Sequence, residues 1–256
     1  REVLKYVGFN KGLEIHHDGD LPARSGLGSS SSFTVGILNA LNAMRGTYNS
    51  PHQLASSAIH IEQNLIKECV GSQDQISAAY GGFNEIEFNR DGSFSVQPLV
   101  VKKERLDDLN NHLMLFFTGV SRFSSEVSAS QLSNLDNCHS QMNEIQSMVD
   151  EGASILRNQN NSLNDFGKLL DKAWKNKRSL SKLVSNNKID ELYASAIKAG
   201  ATGGKILGAG GGGFILFYVK PENQNNVAKT LKNLTLVPFK FENTGSKVVL
   251  YQPDGF

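Results

Sequence analysis

The sequence is poor in residues that cross-link a fold, since it has two cysteines, Cys69 and Cys138, among 256 residues. Neither belongs to a CxxC motif or a Cys/His cluster, so the pattern indicates neither a disulfide framework nor a zinc site. We expect both to be free thiols of a protein in a reducing compartment.

An excess of charge of one sign is also missing, because 26 basic and 25 acidic residues leave a formal net charge of +1. This balance provides no general field for nucleic acid or an anionic membrane. No run of 18 apolar residues is present, which excludes a membrane-spanning helix of ordinary length. The start REVLKYVGF lacks a signal or transit pattern. We therefore predict a cytoplasmic protein with no nucleic-acid and no membrane partner.

Glycine is abundant, with 24 residues, and it separates segments of different periodicity. We expect a truncated start, because the chain begins at Arg1 without methionine and a strand-like stretch follows at once. The elements alternate without a regular βαβ rhythm, which predicts an α+β fold. A charged stretch at residues 102–108 predicts a boundary between domains 1–108 and 109–256. The predicted strands are 3–9, 12–17, 83–89, 93–101, 112–118, 214–219, 236–241 and 247–251, and the predicted helices are 30–45, 51–71, 72–80, several within 124–200, and 221–231.

The segment LPARSGLGSSSS, residues 21–32, is the first candidate site. Gly26 and Gly28 allow a tight turn and close approach to an anion, and the serines after them open a helix. The N-terminus of a helix presents unpaired N–H groups, a usual setting for a phosphate. The segment is neither a Walker A loop nor a GxGxxG motif. Taken alone, it fits a phosphate site and a simple helix cap equally well.

Two carboxylates form the second candidate site. Glu62 follows Ile61 of the apolar stripe Leu54, Ala58, Ile61 and Leu65, and a step of about 100° moves it to a flank of the helix. Asp74 lies in the first turn of the next helix, where the helix dipole favours an ionised carboxylate. Carboxylate oxygens suit Mg²⁺ and can accept a proton from an attacking hydroxyl. Two exposed helix acids without function remain the alternative.

A glycine run forms the third candidate site. KILGAGGGGFILFYV, residues 205–219, contains four consecutive glycines before a strand. Such a run predicts a backbone that comes close to another group at residues 208–212.

These three segments together resemble the GHMP small-molecule kinases. The resemblance rests on PxxxGLGSSS at residues 22–31, on Glu62 and Asp74 in IEQ and GSQDQ, and on KILGAGGGGF at residues 205–214. With QDQISAAYGGFNEIEF and FTGVSRFSSE, the chain is most similar to the heptose 7-phosphate kinases of that family. It implies the two-domain GHMP kinase fold, with a truncated N-terminal domain and a C-terminal α/β sandwich. The family's first motif is not found here.

The resemblance also implies roles for individual residues. Asp74 is expected to be the catalytic base, Ser30 and Glu62 to hold Mg²⁺, and Arg24 and Arg122 to contact the substrate phosphate. A salt bridge is the alternative for each arginine. The residues expected to bind ATP are Pro22, Arg24, Gly26, Leu27, Gly28, Ser29, Ser30, Ser31, Gly208, Gly210, Gly211 and Gly212.

The implied activity is transfer of the γ-phosphoryl group of ATP to the anomeric hydroxyl of D-glycero-D-manno-heptose 7-phosphate. The product would be the 1,7-bisphosphate, which feeds synthesis of nucleotide-activated heptose. Two alternatives stay open: a 1-kinase for another sugar, such as fucose or galactose, and a non-catalytic sensor of sugar and ATP. The sequence leaves the oligomeric state open, a homodimer included.

Overall fold

The computed structural model describes residues 1–21, 26–119 and 124–252. The chain forms two compact units, one of Arg1–Gly82 with Glu242–Phe256 and the other of Phe83–Phe241. The first is helical, and the second is built on a sheet, so the expected α+β class is confirmed.

The first unit is a small helical bundle. Its helices bury apolar stripes against one another, with Leu38, Ala58 and Ile76 completely buried. The elements are α1 (Glu2–Tyr6), α2 (Ser29–Met44), α3 (Pro51–His60), a π-helical turn (Ile61–Leu65) that continues α3, and α4 (Gln73–Tyr80).

The start of α3 follows directly from the sequence. The Ser50 hydroxyl accepts a hydrogen bond from the Gln53 amide at 3.2 Å, and the Gln53 side chain accepts one from the Ser50 amide at 2.8 Å. Pro51 occupies the first helical position. This is a capping box with proline where its missing N–H costs nothing.

The chain returns to the first unit after Phe241. The Gly82 amide donates to the Glu242 carbonyl at 3.0 Å, and the Ser246 amide donates to the Ala78 carbonyl at 2.9 Å. A Cβ at Gly245 would lie 2.0 Å from the Ala79 carbonyl oxygen. Glycine therefore lets this segment pack against the end of α4.

The second unit contains a two-stranded hairpin and a four-stranded antiparallel sheet. The strands of that sheet lie in the order β4 (Ala201–Ile206), β5 (Phe214–Val219), β3 (Leu113–Phe117) and β6 (Thr235–Val237). Trp174, Phe116 and Phe217 are among the fully buried side chains of its core. The elements are β1 (Asn84–Phe88), β2 (Phe94–Pro98), α5 (Lys103–Asn111), β3 (Leu113–Phe117), α6 (Ser124–Leu132), α7 (His139–Arg157), α8 (Leu163–Ser179), α9 (Asn187–Lys198), β4 (Ala201–Ile206), β5 (Phe214–Val219), α10 (Pro221–Thr230) and β6 (Thr235–Val237).

Helix α8 lies unusually close to β4. A Cβ at Gly203 would lie 2.0 Å from the Gly167 carbonyl oxygen, and a Cβ at Gly167 would lie 2.6 Å from the Tyr218 ring. The contact between helix and sheet thus depends on glycine on both sides.

Several predicted elements are wrong. Residues 3–9 were expected to form a strand, but Val3 and Val7 are buried at helical spacing and α1 forms. Residues 12–17 and 247–251 form no strand, because an extended segment needs a hydrogen-bonded neighbour to become one. Strand β4 was not predicted, because it contains two glycines and glycine is uncommon in strands.

The predicted domain boundary also differs from the observed division, which falls between Gly82 and Phe83. Residues 102–108, where the boundary was expected, lie largely in helix α5. Its Leu109 is buried with Leu156, Leu163 and Tyr218. The hairpin and α5 therefore belong to the second unit.

Candidate active site

The glycine and serine loop ends in a conformation that glycine adopts without strain. Gly26 has φ +82° and Gly28 has φ +69°, both left-handed, and Gly28 is the N-cap of α2. The first turn of α2 carries no acidic side chain. The loop thus leads directly into a helix N-terminus whose dipole favours an anion.

Glu62 lies at the centre of a small buried cluster. The Ser31 hydroxyl donates to Glu62 Oε2 at 2.8 Å, and Gln75 Nε2 donates to the same oxygen at 2.5 Å. The Glu62 side chain is 1% exposed, and its Oε1 has no hydrogen-bond partner among the described residues. Two donors therefore hold one oxygen and leave the other available to a further ligand.

The burial of Glu62 corrects the prediction that it lies on a flank of the helix. Helix α3 changes at Ile61 into the π-helical turn, in which the Ile66 amide donates to the Ile61 carbonyl at 2.8 Å. The wider turn rotates the following side chains, so Glu62 faces inward and Leu65 is 42% exposed. Single π-helical turns of this kind are frequent at functional sites.

Asp74 lies against the glycine loop. A Cβ added at Gly28 would lie 3.1 Å from Asp74 Cγ and 3.3 Å from its Oδ2. Partial burial raises the pKa of Asp74, and the negative charge of Glu62 raises it further. This direction is opposite to the one expected from the helix dipole alone, because desolvation and a like charge outweigh the dipole.

Gln75 is the functional candidate that the sequence analysis missed. It is completely buried, and its Oε1 also has no partner among the described residues. Glu62 and Gln75 are joined by a hydrogen bond, and each has one acceptor oxygen without a partner among the described residues. Two such oxygens are ligands that fit a hard cation such as Mg²⁺. Its position directly after Asp74 was the available signal, but sequence spacing does not show which amide reaches Glu62.

The predicted residues are brought together only in part. The hydroxyl that reaches Glu62 belongs to Ser31, whereas Ser30 is exposed. Pro22, Arg24 and Arg122 lie outside the described residues. In the described part of the chain, no three His, Cys, Asp or Glu side chains form a metal-binding cluster.

The second glycine run connects β4 to β5 in the second unit. The Gly211 amide donates to the Val184 carbonyl at 2.8 Å, and Gln131 Nε2 donates to the Ala209 carbonyl at 2.8 Å. Gly208 and Gly210 have φ +65° and +118°. The loop is therefore held by one backbone and one side-chain hydrogen bond, in a conformation that requires glycine.

The fold and these motifs define the class of protein. Residues 1–82 match the N-terminal domain of the GHMP kinases, and residues 154–234 match their C-terminal domain. The chain belongs to the GHMP kinase family.

The similar proteins include sugar kinases and mevalonate kinases. D-glycero-alpha-D-manno-heptose 7-phosphate kinase of Campylobacter jejuni is 33% identical over 86% of this chain and 65% of its own length. The crystal structure of a D-glycero-D-manno-heptose 1-phosphate kinase from Bacteroides thetaiotaomicron has a TM-score of 0.71 at 28% identity, over 91% of this chain and 66% of that one. The bifunctional fucokinase/GDP-fucose pyrophosphorylase of Arabidopsis thaliana is 28% identical over 82% of this chain and 20% of its length. The chain spans 65% of the length of the Campylobacter relative.

None of the helices in the described residues is long and apolar enough to cross a membrane.

Proposed function

We propose that the protein is an ATP-dependent sugar kinase that phosphorylates the anomeric hydroxyl of D-glycero-D-manno-heptose 7-phosphate. The observation that carries the proposal is the cluster of Ser31, Glu62 and Gln75 beside Asp74 and the glycine loop. The likeness to the Campylobacter heptose 7-phosphate kinase supports the choice of substrate.

The loop of residues 26–31 would bind the phosphates of ATP. Its left-handed glycines and the first N–H groups of α2 favour an anion at this point. The family resemblance assigns the same ligand to Gly208, Gly210, Gly211 and Gly212. That assignment stays a prediction for the second unit.

The donor set beside the loop fits Mg²⁺, which GHMP kinases would use with ATP to offset phosphate charge. Glu62 Oε1 is buried without a partner among the described residues, so it is the oxygen we assign to the ion. Ser30 is exposed, and its hydroxyl is proposed as a second ligand. Ser31 and Gln75 hold Glu62 in place through its other oxygen.

Asp74 is proposed as the general base. Its carboxylate would take the proton of the anomeric hydroxyl as that oxygen attacks the γ-phosphorus atom. The raised pKa suits this task, because a carboxylate that holds a proton more strongly is a better acceptor in the transition state.

The test is ADP release by the full-length protein with D-glycero-D-manno-heptose 7-phosphate, compared with L-fucose and D-galactose. Turnover with the heptose phosphate alone supports the proposal. Turnover with fucose would favour the second candidate, a fucose 1-kinase, which the fucokinase relative supports. ATP binding without turnover on any sugar would contradict the kinase and favour a sensor.

The cytoplasmic location and the absence of nucleic-acid and membrane partners, expected from the sequence, stay predictions. The oligomeric state, a homodimer included, is open to measurement by light scattering.

A further inference from the structure

Glu62 and Asp74, the two acidic residues of the candidate site, lie on different elements that a short loop joins. Glu62 belongs to the π-helical turn that ends at Leu65, and Asp74 lies in the first turn of α4, which begins at Gln73. Residues 66–72, the connecting loop, lie between the two elements. The conformation of the connecting loop therefore decides where Asp74 lies relative to Glu62.

One side chain bridges the connecting loop. Gln63 directly follows Glu62 and is half-buried. Its Nε2 atom donates to the Val70 carbonyl at 3.0 Å and to the Ser72 hydroxyl at 3.2 Å. An amide nitrogen has two N–H groups, so one glutamine can make both bonds. Gln63 thus ties the π-helical turn to the last residues before α4.

The Ser72 hydroxyl is engaged by this bridge and not by its own helix. Ser72 is the N-cap of α4, where a serine hydroxyl ordinarily accepts a hydrogen bond from an amide of the first turn. Among the described residues it makes no such bond, and its φ of −101° and ψ of −3° differ from the extended backbone of a usual N-cap. The start of α4 is therefore held by a side chain of the preceding element.

The connecting loop also contains a residue in an unfavourable backbone conformation. Lys67 has φ +62°, and it is the only residue other than glycine with a positive φ in the described part of the chain. Such a conformation persists only where the surrounding contacts fix it. The Glu68 amide donates to the Glu62 carbonyl at 2.9 Å, and the bonds of Gln63 hold the other end of the loop. The loop is thus fixed on both sides of Lys67.

A second amide crosses between the same two elements in the opposite direction. Gln75 of α4 donates to Glu62 Oε2, whereas Gln63 of the π-helical turn donates to the residues before α4. Each of the two acidic residues is followed by a glutamine that bonds to the other element. Gln75 fixes the carboxylate of Glu62, and Gln63 fixes the backbone that leads to Asp74.

We propose that Gln63 is a positioning residue, which holds the start of α4 and with it the Asp74 carboxylate in the place that the reaction requires. The inference rests on the proposed function, in which Asp74 is the general base. A general base must lie within hydrogen-bond reach of the hydroxyl that it deprotonates. A displacement of about 1 Å can lower the rate roughly 10²-fold. Gln63 acts through the connecting loop and touches no reacting atom in this role.

The first experiment uses Cys69 of the connecting loop as a reporter of the loop conformation. Cys69 is half-buried, and Cys138, which is buried, is the internal reference. Gln63→Glu keeps the shape of the side chain but replaces the N–H donors with an acceptor oxygen. In full-length protein we expect iodoacetamide to alkylate Cys69 about tenfold faster in this variant, since a loop that loses its hydrogen bonds opens more often. Mass spectrometry measures the rate, and the rate at Cys138 should not change.

Three further variants accompany this experiment. Asn64→Asp is the matched control, because it makes the same change from amide to carboxylate at the exposed neighbouring position. It should leave the labelling of Cys69 unchanged. Gln63→Arg should keep labelling slow, because a guanidinium offers adjacent N–H donors. Ser72→Ala removes one of the two acceptors and should give an intermediate rate.

The second experiment measures turnover of D-glycero-D-manno-heptose 7-phosphate. Gln63→Glu should lower kcat by about 10- to 100-fold, because Asp74 is displaced. The affinity for ATP should change by at most about twofold, because the loop of residues 26–31 is untouched. Gln63→Arg should retain most of kcat, and Asn64→Asp should match the unmodified protein.

Equal labelling of Cys69 in Gln63→Glu and Asn64→Asp would overturn the proposal, since the connecting loop would not depend on Gln63. Faster labelling with an unchanged kcat would also overturn it, because Gln63 would then stabilise the loop without positioning Asp74. The labelling rates need no turnover. A protein that phosphorylates no sugar but shows the expected labelling rates would refute the proposed function and leave the hold of Gln63 on the connecting loop standing.

Discussion

At the scale of single residues, Asp74 is the proposed general base of the reaction. We expect Asp74→Asn to lower kcat by about 10²- to 10⁴-fold, the usual contribution of a general base, because the amide keeps the shape of the side chain but accepts no proton. ATP affinity, measured by calorimetry, should stay within a factor of about two. Near-normal turnover would contradict the role assigned to Asp74.

Asp74→Asn, which is expected to lower turnover, is expected to raise the stability of the fold at pH 7. Because the pKa of Asp74 is raised in the folded protein above its ordinary value of 3.8, its ionised form destabilises the fold above that folded pKa. The penalty disappears as the pH falls below 3.8, where the group is protonated in both states. Asp74→Asn should therefore melt at a higher temperature than the unmodified protein at pH 7, and the difference should shrink towards pH 4. A lower melting temperature at pH 7 would show that Asp74 stabilises the fold.

Gln75 is expected to act on the metal through Glu62. Gln75→Met keeps the volume but removes the donor that fixes Glu62 Oε2. We expect weaker binding of Mn²⁺, used as a spectroscopic probe for Mg²⁺, by about 10- to 100-fold, as is typical when a partner of a metal ligand is lost. Gln73→Met, on the exposed side of the same helix turn, is the control. Equal Mn²⁺ affinity in the two variants would rule out this role.

At the scale of elements, the sequence predicts best where local signals agree. The predicted start of α3 at residue 51 is confirmed, and the predicted strands 83–89 and 93–101 contain β1 and β2, which pair with Ile86 opposite Val96 and Phe88 opposite Phe94. The inward turn of Glu62 could not be predicted, since a helix period of 3.6 residues does not reveal where a π-helical turn begins. Which of the four adjacent serines, residues 29–32, bonds to Glu62 also depends on that turn.

Strand β4 shows the other kind of failure. Its glycines are typical of a loop in the sequence, but Gly203 lies against α8 and Gly204 lies against Leu216 and Phe217 of β5, where a Cβ would have no room. Gly203→Ala should destabilise the protein by about 1–3 kcal/mol or more, because its Cβ would overlap the Gly167 carbonyl. Thermal unfolding measures the change.

The matched control is Gly36→Ala in α2, where a Cβ would meet nothing within 4 Å. Alanine favours a helix more than glycine does, so this variant should be up to about 1 kcal/mol more stable. Equal effects of the two substitutions would show that the contact of α8 with β4 tolerates a methyl group.

At the scale of the whole molecule, the first unit is discontinuous in sequence, since residues 242–252 pack against the end of α4. Removing the chain after Phe241 should expose the Gly82 amide and the Ala78 carbonyl, which bond to that segment. We expect faster hydrogen exchange in α4 and unchanged exchange in β5 of the second unit. Equal acceleration in both would indicate that the segment stabilises the chain as a whole.

The return of the chain to α4 also sets an order of events during translation. The ribosome must release all of residues 83–241 before the segment that packs against Gly81 exists. The second unit can therefore reach its native state before residues 242–252 of the first unit have been synthesised. The helical bundle of the first unit is therefore incomplete during most of the synthesis of the chain. Chaperones that bind exposed apolar helices are expected to bind this incomplete bundle on the nascent chain.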